Sequence, residues 1–172
     1  MENTTSTESI ELAPETITVR DHASVAREYF LSGYNCAQAV LCAFEDVTEL
    51  ERDTSLRLIS SFGGGLGRLR EVCGAMSGAA AVAGVLWGYS DVSNGEKKAE
   101  HYALIQEIAR RFTEENGSII CRELLGDSEA KKSPTPSVRT AEYYKKRPCA
   151  DIVEEAARII DEMIAKKGLT NK

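Results

Sequence analysis

Apolar residues recur at helical spacing along most of this chain, and few stretches alternate as a half-buried strand would. The clearest stripe lies near the end of the chain, where the apolar residues that share one helix face are Ile152, Val153, Ala156, Ile159, Ile160 and Met163. Similar stripes follow Asn35 and Asp53. The pattern predicts an all-α bundle of about six or seven helices around a central Ala/Gly-rich helix.

Capping residues and glycines indicate where these helices begin and end. The predicted helices begin at Asp21, Asn35, Asp53, Cys73, Glu96, Ser118 and Cys149. Asp21, Asp53 and Ser118 carry side chains that suit an N-cap, and Pro148 suits the first turn of the last helix. Between the helices, residues 63–67 are predicted to form a glycine turn, and the polar residues 126–147 a flexible loop.

The central helix resembles a membrane span in one respect, because residues 72–90 contain no charged side chain. Alanine and glycine dominate this stretch, and both partition weakly into lipid, so a buried helix is the better interpretation. Its glycines repeat at four-residue spacing at positions Gly74, Gly78, Gly84 and Gly88. They predict a smooth face that a neighbouring helix can approach closely. The same face would suit an interface between two copies of the chain, which keeps a homo-oligomer as a candidate.

Length and charge narrow the class of protein. The 172 residues suit one domain, and we divide the chain into a mobile tail, residues 1–20, and a single helical domain, residues 21–167. A net charge of -6 argues against binding to nucleic acid or to an anionic membrane surface. The tail lacks the basic segment and the apolar run of a signal peptide, so we predict a cytoplasmic protein whose thiols stay reduced.

Four of the five cysteines lie where a predicted helix begins: Cys36, Cys73, Cys121 and Cys149. The first turn of a helix presents unpaired backbone N–H groups and the positive end of the helix dipole, and both favour a thiolate. Redox exchange and metal coordination each require thiolates. The fifth cysteine, Cys42, lies within a predicted helix among apolar residues and is interpreted as a core residue.

The sequence around these cysteines carries a family resemblance. Its motifs are Gly33-Tyr-Asn-Cys36-Ala-Gln-Ala-Val, Phe62-Gly-Gly-Gly, Cys73-Gly-Ala-Met-Ser-Gly78, Gly117-Ser-Ile-Ile-Cys121-Arg-Glu-Leu-Leu-Gly126 and Pro148-Cys149. Together they resemble the redox-active protein family named C_GCAxxG_C_C, over roughly residues 25–163. The resemblance implies a small helical protein of bacteria and archaea that acts in redox chemistry through Cys36, Cys73, Cys121 and Cys149. It implies no particular reaction, electron donor or redox partner.

One mechanism that these residues allow is thiol–disulfide cycling, which requires only that two cysteines approach within disulfide distance. Cys73 is the preferred nucleophile, because it follows a glycine turn that exposes backbone N–H groups and because Arg68 and Arg70 are near in sequence. Cys36 or Cys149 would then resolve the mixed disulfide, and the sequence does not choose between them.

The other mechanism uses a metal centre, since four thiolates suffice for a zinc site or an iron–sulfur cluster. Such a centre could transfer electrons, or it could serve a non-catalytic metal-binding or metal-handling protein. Here the cysteines lie on separate helices rather than in Cys-x-x-Cys pairs, so they would have to converge in the folded chain. Both mechanisms predict that at least three of the four cysteines meet in space, with Cys42 apart.

Other chemistries receive less support from the sequence. His22 and His101 are predicted to lie on exposed helix faces, which leaves a Cys–His nucleophilic pair without a basis. The glycine turn lacks the Gly-Lys-Ser/Thr ending of a phosphate loop. The short basic run at residues 143–147 is interpreted as a solvated loop.

Overall fold

The computed structural model describes residues 21–169, and those residues form nine α-helices. The helices are α1 (His22–Leu31), α2 (Cys36–Ala43), α3 (Glu45–Thr48), α4 (Arg52–Ile59), α5 (Gly74–Trp87), α6 (Gly95–Asn116), α7 (Cys121–Leu125), α8 (Ala141–Lys146) and α9 (Cys149–Lys167). A short 3₁₀ turn, Ser60–Phe62, extends α4. The all-α prediction is confirmed, with the short helices α3 and α8 in addition to those predicted. The predicted tail, residues 1–20, lies outside the described residues.

Local capping explains why several boundaries fall where the sequence places them. The Asp21 side chain accepts a hydrogen bond from the Ser24 N–H at 3.1 Å and starts α1. Asn35 and Gln38 form a reciprocal capping box that starts α2. Gly117 adopts a left-handed conformation, with φ of 88°, and ends α6. These interactions use residues only a few positions apart, so the sequence alone reveals them.

Two predicted caps are wrong. Glu51, rather than Asp53, caps α4 by accepting a hydrogen bond from the Thr54 N–H at 2.9 Å. Ile120, rather than Ser118, precedes α7, and the Ser118 hydroxyl accepts from the Ile120 N–H just upstream of the helix. Each correction moves a helix boundary by two residues or fewer and leaves the helix in place.

The prediction of a flexible loop over residues 126–147 is wrong in part, because α8 occupies its second half. Thr140 caps this helix. The Arg139 guanidinium, just before the cap, donates hydrogen bonds to the backbone carbonyls of Phe30 and Tyr34, the second at 2.8 Å. These bonds fix the segment against the end of α1.

The core forms where α2 and α5 pack against each other and where α9 packs along α1. Its largest fully buried side chains include Phe30, Leu41, Phe44, Val82, Phe112, Ile159 and Ile160. A Cβ atom on Gly78 would lie 2.8 Å from the Ala37 carbonyl oxygen, so this glycine allows α5 to approach α2 closely. A Cβ on Gly84 would contact nothing within 4 Å, so the close approach involves the first half of the glycine face. No helix within residues 21–169 combines the length and the apolarity of a membrane span.

His22 is buried rather than on an exposed face, with 2% of its surface accessible. Its Nδ1–H donates to Asp161 on α9 at 2.5 Å, and its Nε2–H donates to Asp46 on α3 at 3.0 Å. Burial by itself lowers the pKa of His22, but the hydrogen bonds and charges of Asp161 and Asp46 outweigh it and raise the pKa overall. When it is protonated, the ring donates to both carboxylates and ties α1 to two other helices.

We expect His22→Ala to lower the free energy of unfolding by about 3 kcal/mol at pH 5.5, because it leaves two carboxylates without their shared cation. The folded-state pKa of His22 lies above its unfolded value, so this stabilisation is complete below the unfolded pKa and is lost as the pH rises through the folded one. Urea denaturation of both proteins at pH 5.5 and 8.5 checks this. An equal difference at the two pH values would contradict it.

Candidate functional site

The starts of four helices meet at one point of the fold. Cys36, Cys121 and Cys149 are the first residues of α2, α7 and α9, and Cys73 is the N-cap of α5. All four line a single void of about 20 Å³. Cys42 is fully buried in the core and is not part of this lining. The structure thus brings together the four cysteines that the sequence singles out and leaves the fifth apart.

A short backbone pairing holds Cys73 and Cys121 beside each other. The residues just before α5 run antiparallel to those just before α7. The Cys73 N–H donates to the Ile119 carbonyl at 2.7 Å, and the Cys121 N–H donates to the Glu71 carbonyl at 2.6 Å. Backbone hydrogen bonds between segments far apart in sequence therefore position two of the four thiols.

Two glycines let the backbone approach the thiols closely. A Cβ atom on Gly65 would lie 2.7 Å from the Cβ of Cys121, and Gly65 also has φ of +69°, which favours glycine. A Cβ on Gly74 would lie 3.1 Å from the Cβ of Cys36. The Phe-Gly-Gly-Gly and Cys-Gly-Ala motifs are thus each adjacent to a cysteine of another helix.

Cys149 and Cys36 differ in the direction in which their pKa values are shifted. A hydrogen bond from Cys36 lowers the pKa of Cys149, and the charges of Arg147, Arg70 and Arg139 add to this effect against the opposing effect of burial. The pKa of Cys36 is raised well above its ordinary value by the same hydrogen bond, by burial and by the neighbouring sulfurs. Cys149 is therefore the more acidic thiol of the pair, and Cys36 is the group that donates to its sulfur.

The expectation that Cys73 has a lowered pKa is wrong. Burial raises the pKa of Cys73 to about 12 and outweighs the backbone N–H groups of Ala75 and Met76, which act to lower it. The Arg70 guanidinium reaches Cys121 instead, with Nη1 3.9 Å from Sγ. Burial nevertheless raises the pKa of Cys121, and the charge of Arg70 offsets this only in part. A helix start alone does not make a buried cysteine acidic.

A larger pocket of about 330 Å³ opens beside the sulfurs of Cys36, Cys121 and Cys149. Its lining includes one tyrosine and four arginines: Tyr143, Arg68, Arg70, Arg139 and Arg147. Sequence reasoning identified Arg68 and Arg70 but interpreted the run that contains Tyr143 and Arg147 as a solvated loop. The available signal was that this run leads directly into Pro148-Cys149.

The four sulfurs do not form a metal ligand set in this arrangement. Within residues 21–169, no group of three or more His, Cys, Asp or Glu side chains has the spacing that holds a metal ion. The 20 Å³ void among the cysteines has about the size of one water molecule and is lined by apolar atoms and thiols.

Comparison with known proteins identifies a family for this chain. The model of the family described as "Putative redox-active protein (C_GCAxxG_C_C)" matches residues 34–163. This range contains all four cysteines of the void and all four arginines of the larger pocket. No curated protein and no solved structure matches the chain.

Proposed function

Because the chain belongs to the C_GCAxxG_C_C family of redox-active proteins, we propose that it performs thiol–disulfide exchange with Cys149 as nucleophile and Cys36 as resolving thiol. The observation that carries this proposal is that both sulfurs line the same void and the same open pocket, with the pKa of Cys149 lowered and that of Cys36 raised. Exchange begins with a thiolate, and the attacking thiol is the one that is ionised and accessible. Cys149 is partly exposed at the wall of the larger pocket, and its lowered pKa favours the thiolate.

The proposed reaction balances with a disulfide, RS–SR, as oxidant. The Cys149 thiolate attacks one sulfur of the substrate, forms a mixed disulfide and releases the first RS⁻. The Cys36 thiol then gives up its proton and attacks the Cys149 sulfur, which forms the Cys36–Cys149 disulfide and releases the second RS⁻. Two protein thiols are oxidised and one substrate disulfide is reduced, with a transfer of two electrons.

Cys73 and Cys121 have a different role in this proposal. Both line the same void as Cys149, and both have a raised pKa, so they remain protonated thiols while Cys149 reacts. An oxidised Cys36–Cys149 pair next to two reduced thiols can pass its disulfide to them by a further exchange. The cycle needs the thiols to be reduced at its start, which fits a reducing compartment such as the cytoplasm.

We predict that the first disulfide to form, when one equivalent of a disulfide oxidant is added to the reduced protein, joins Cys36 to Cys149. The measurement is mass spectrometry of peptides from protein that is denatured and alkylated after oxidation, with the Cys42 peptide as an internal control that is always alkylated. A first disulfide that joins Cys73 to Cys121 would contradict the assignment.

The competing hypothesis uses the same four cysteines to hold an iron–sulfur cluster or zinc, for electron transfer or for metal handling. Metal and sulfide analysis with a visible spectrum, on protein purified without oxygen, separates the two. Metal-free protein with four or more titratable thiols supports exchange. Stoichiometric metal with thiols that do not react would overturn it.

A further inference from the structure

The larger pocket beside the thiols is positively charged. Three of its four arginines form no ion pair with a carboxylate of residues 21–169. Arg68 donates to the Ser133 carbonyl at 2.7 Å, and Arg139 donates to backbone carbonyls at the end of α1. Of the four pocket arginines, Arg147 has an ion pair, with Glu129 at 2.9 Å. The chain as a whole has a net charge of -6, so the charge of this pocket is opposite to that of the protein.

Arg70 gives the most direct evidence for a ligand. It is 2% exposed, and its Nη2 has no hydrogen-bond partner among the described residues. Its Nε donates to the Lys131 carbonyl at 3.3 Å, and its Nη1 faces Cys121. A buried cation with an unpaired N–H is costly, and native proteins rarely keep one without a reason. An anionic ligand would supply the missing acceptor.

The backbone of the turn between α4 and α5 is also held in an unusual conformation. Arg68 and Arg70 have φ of 66° and 64°, and Leu66 between Gly65 and Gly67 has φ of 62°. Non-glycine residues rarely adopt this conformation, and strain of this kind concentrates at functional sites. Here the turn places two arginine side chains in the wall of the pocket. Burial lowers the pKa of Arg68, and the like charges of Arg70 and Arg147 lower it further.

The size of the pocket indicates more than one small ion. A volume of about 330 Å³ lies at the lower end of the range for small-molecule sites, which runs from about 300 to 1,000 Å³. A single oxyanion would leave most of that space to water. The pocket instead suits a molecule with a body of several atoms and more than one anionic group. Guanidinium groups pair well with carboxylates because two N–H donors match the two oxygens.

We propose that this pocket binds a low-molecular-weight disulfide that carries carboxylates and directs its S–S bond to Cys149. The inference rests on the proposed exchange chemistry and adds the class of substrate to it. Binding would place the carboxylates against the guanidinium groups of Arg68, Arg70 and Arg139. The positive charges also favour the approach of the anion, by a factor that for focused fields reaches about 10–1,000 in rate.

Three disulfides of equal chain length test the role of charge: 3,3′-dithiodipropionate, which is dianionic, 2-hydroxyethyl disulfide, which is neutral, and cystamine, which is dicationic. Each rate of oxidation of the reduced protein is divided by the rate with free N-acetylcysteine amide, a thiol without a carboxylate, which removes intrinsic differences in reactivity. We expect the normalised rate to fall from the anion to the cation by on the order of 100-fold, and less in high salt. Equal normalised rates would overturn the substrate proposal alone. No reaction with any of the three would overturn the exchange function as well.

Binding of an unreactive isostere separates recognition from chemistry. Suberate has the length and the two carboxylates of dithiodipropionate but no S–S bond, and its affinity is measured by calorimetry. Arg70→Met should weaken suberate binding at least about tenfold while leaving the ligand-free protein as stable or more stable, because a buried unpaired charge is removed. Arg68→Gln should weaken binding with little change in stability. Arg110→Gln, on the exposed face of α6, is the matched control with the same change of net charge.

Unchanged suberate affinity in both pocket variants would overturn the proposal. Equal losses of suberate affinity in the two pocket variants and in Arg110→Gln would also overturn it, because that result would indicate a general effect of net charge.

Discussion

Replacing Cys149 by serine should slow the reaction of the reduced protein with a disulfide at pH 7 by on the order of 100-fold. The expected loss of rate follows from the fraction of each thiol that is ionised. A thiol with a pKa of about 12 is ionised in roughly one molecule in 100,000 at pH 7, and one with a pKa of 9 in about one in 100. Cys73 has a pKa of about 12, whereas the pKa of Cys149 lies below its ordinary value of 9.0. The measurement is stopped-flow oxidation of each variant under anaerobic conditions.

Two variants serve as controls for this experiment. Cys42→Ala removes a buried thiol outside the void, and Cys73→Ser removes the thiol that the sequence favoured as nucleophile. Both should keep most of the fast reaction. Rapid reaction in Cys149→Ser together with its loss in Cys73→Ser would show that Cys73 is the nucleophile after all. Circular dichroism of each variant confirms that a loss of rate is not a loss of fold.

The pH dependence gives an independent check of the nucleophile. Because the pKa of Cys149 is lowered, its alkylation by iodoacetamide should reach half of its maximal rate at a pH below 9.0. In Cys36→Ala the midpoint should move up, because the thiolate loses the hydrogen bond that is the largest contribution to its lowered pKa. A midpoint that does not move would show that the arginines alone set the acidity of Cys149.

Cys36→Ser should stop turnover after the first exchange and accumulate one RS group of the substrate per protein as a mixed disulfide on Cys149. The serine hydroxyl can still donate a hydrogen bond to the thiolate but cannot resolve the mixed disulfide. The first exchange should therefore stay within a few-fold of the wild-type rate, while catalytic turnover with an added reductant falls on the order of 100-fold or more. Intact-mass spectrometry measures the adduct.

The matching variant for this comparison is Cys121→Ser, which removes another thiol of the same void. It should resolve the mixed disulfide normally and show no adduct. If Cys121→Ser traps the adduct and Cys36→Ser does not, then Cys121 is the resolving cysteine and the proposed pairing is wrong.

Much of the helical architecture follows from local sequence. The capping box at Asn35, the cap at Asp21 and the left-handed glycine at Gly117 depend on residues within four positions, so each could be predicted. Other features depend on contacts that the sequence does not show. The helix α8 is held by Arg139 against the end of α1, and His22 is buried because Asp161 and Asp46 come from two other helices.

The sequence by itself determined that four cysteines stand at or next to helix starts, because caps and glycines act over a few residues. Only the tertiary structure decided which of them is acidic. The pKa of a buried thiol depends on desolvation and on charges in space, and the helix start that suggested Cys73 is outweighed there by burial. Cys149 is favoured instead by Cys36 and by arginines from three separate segments, whose meeting no local pattern encodes.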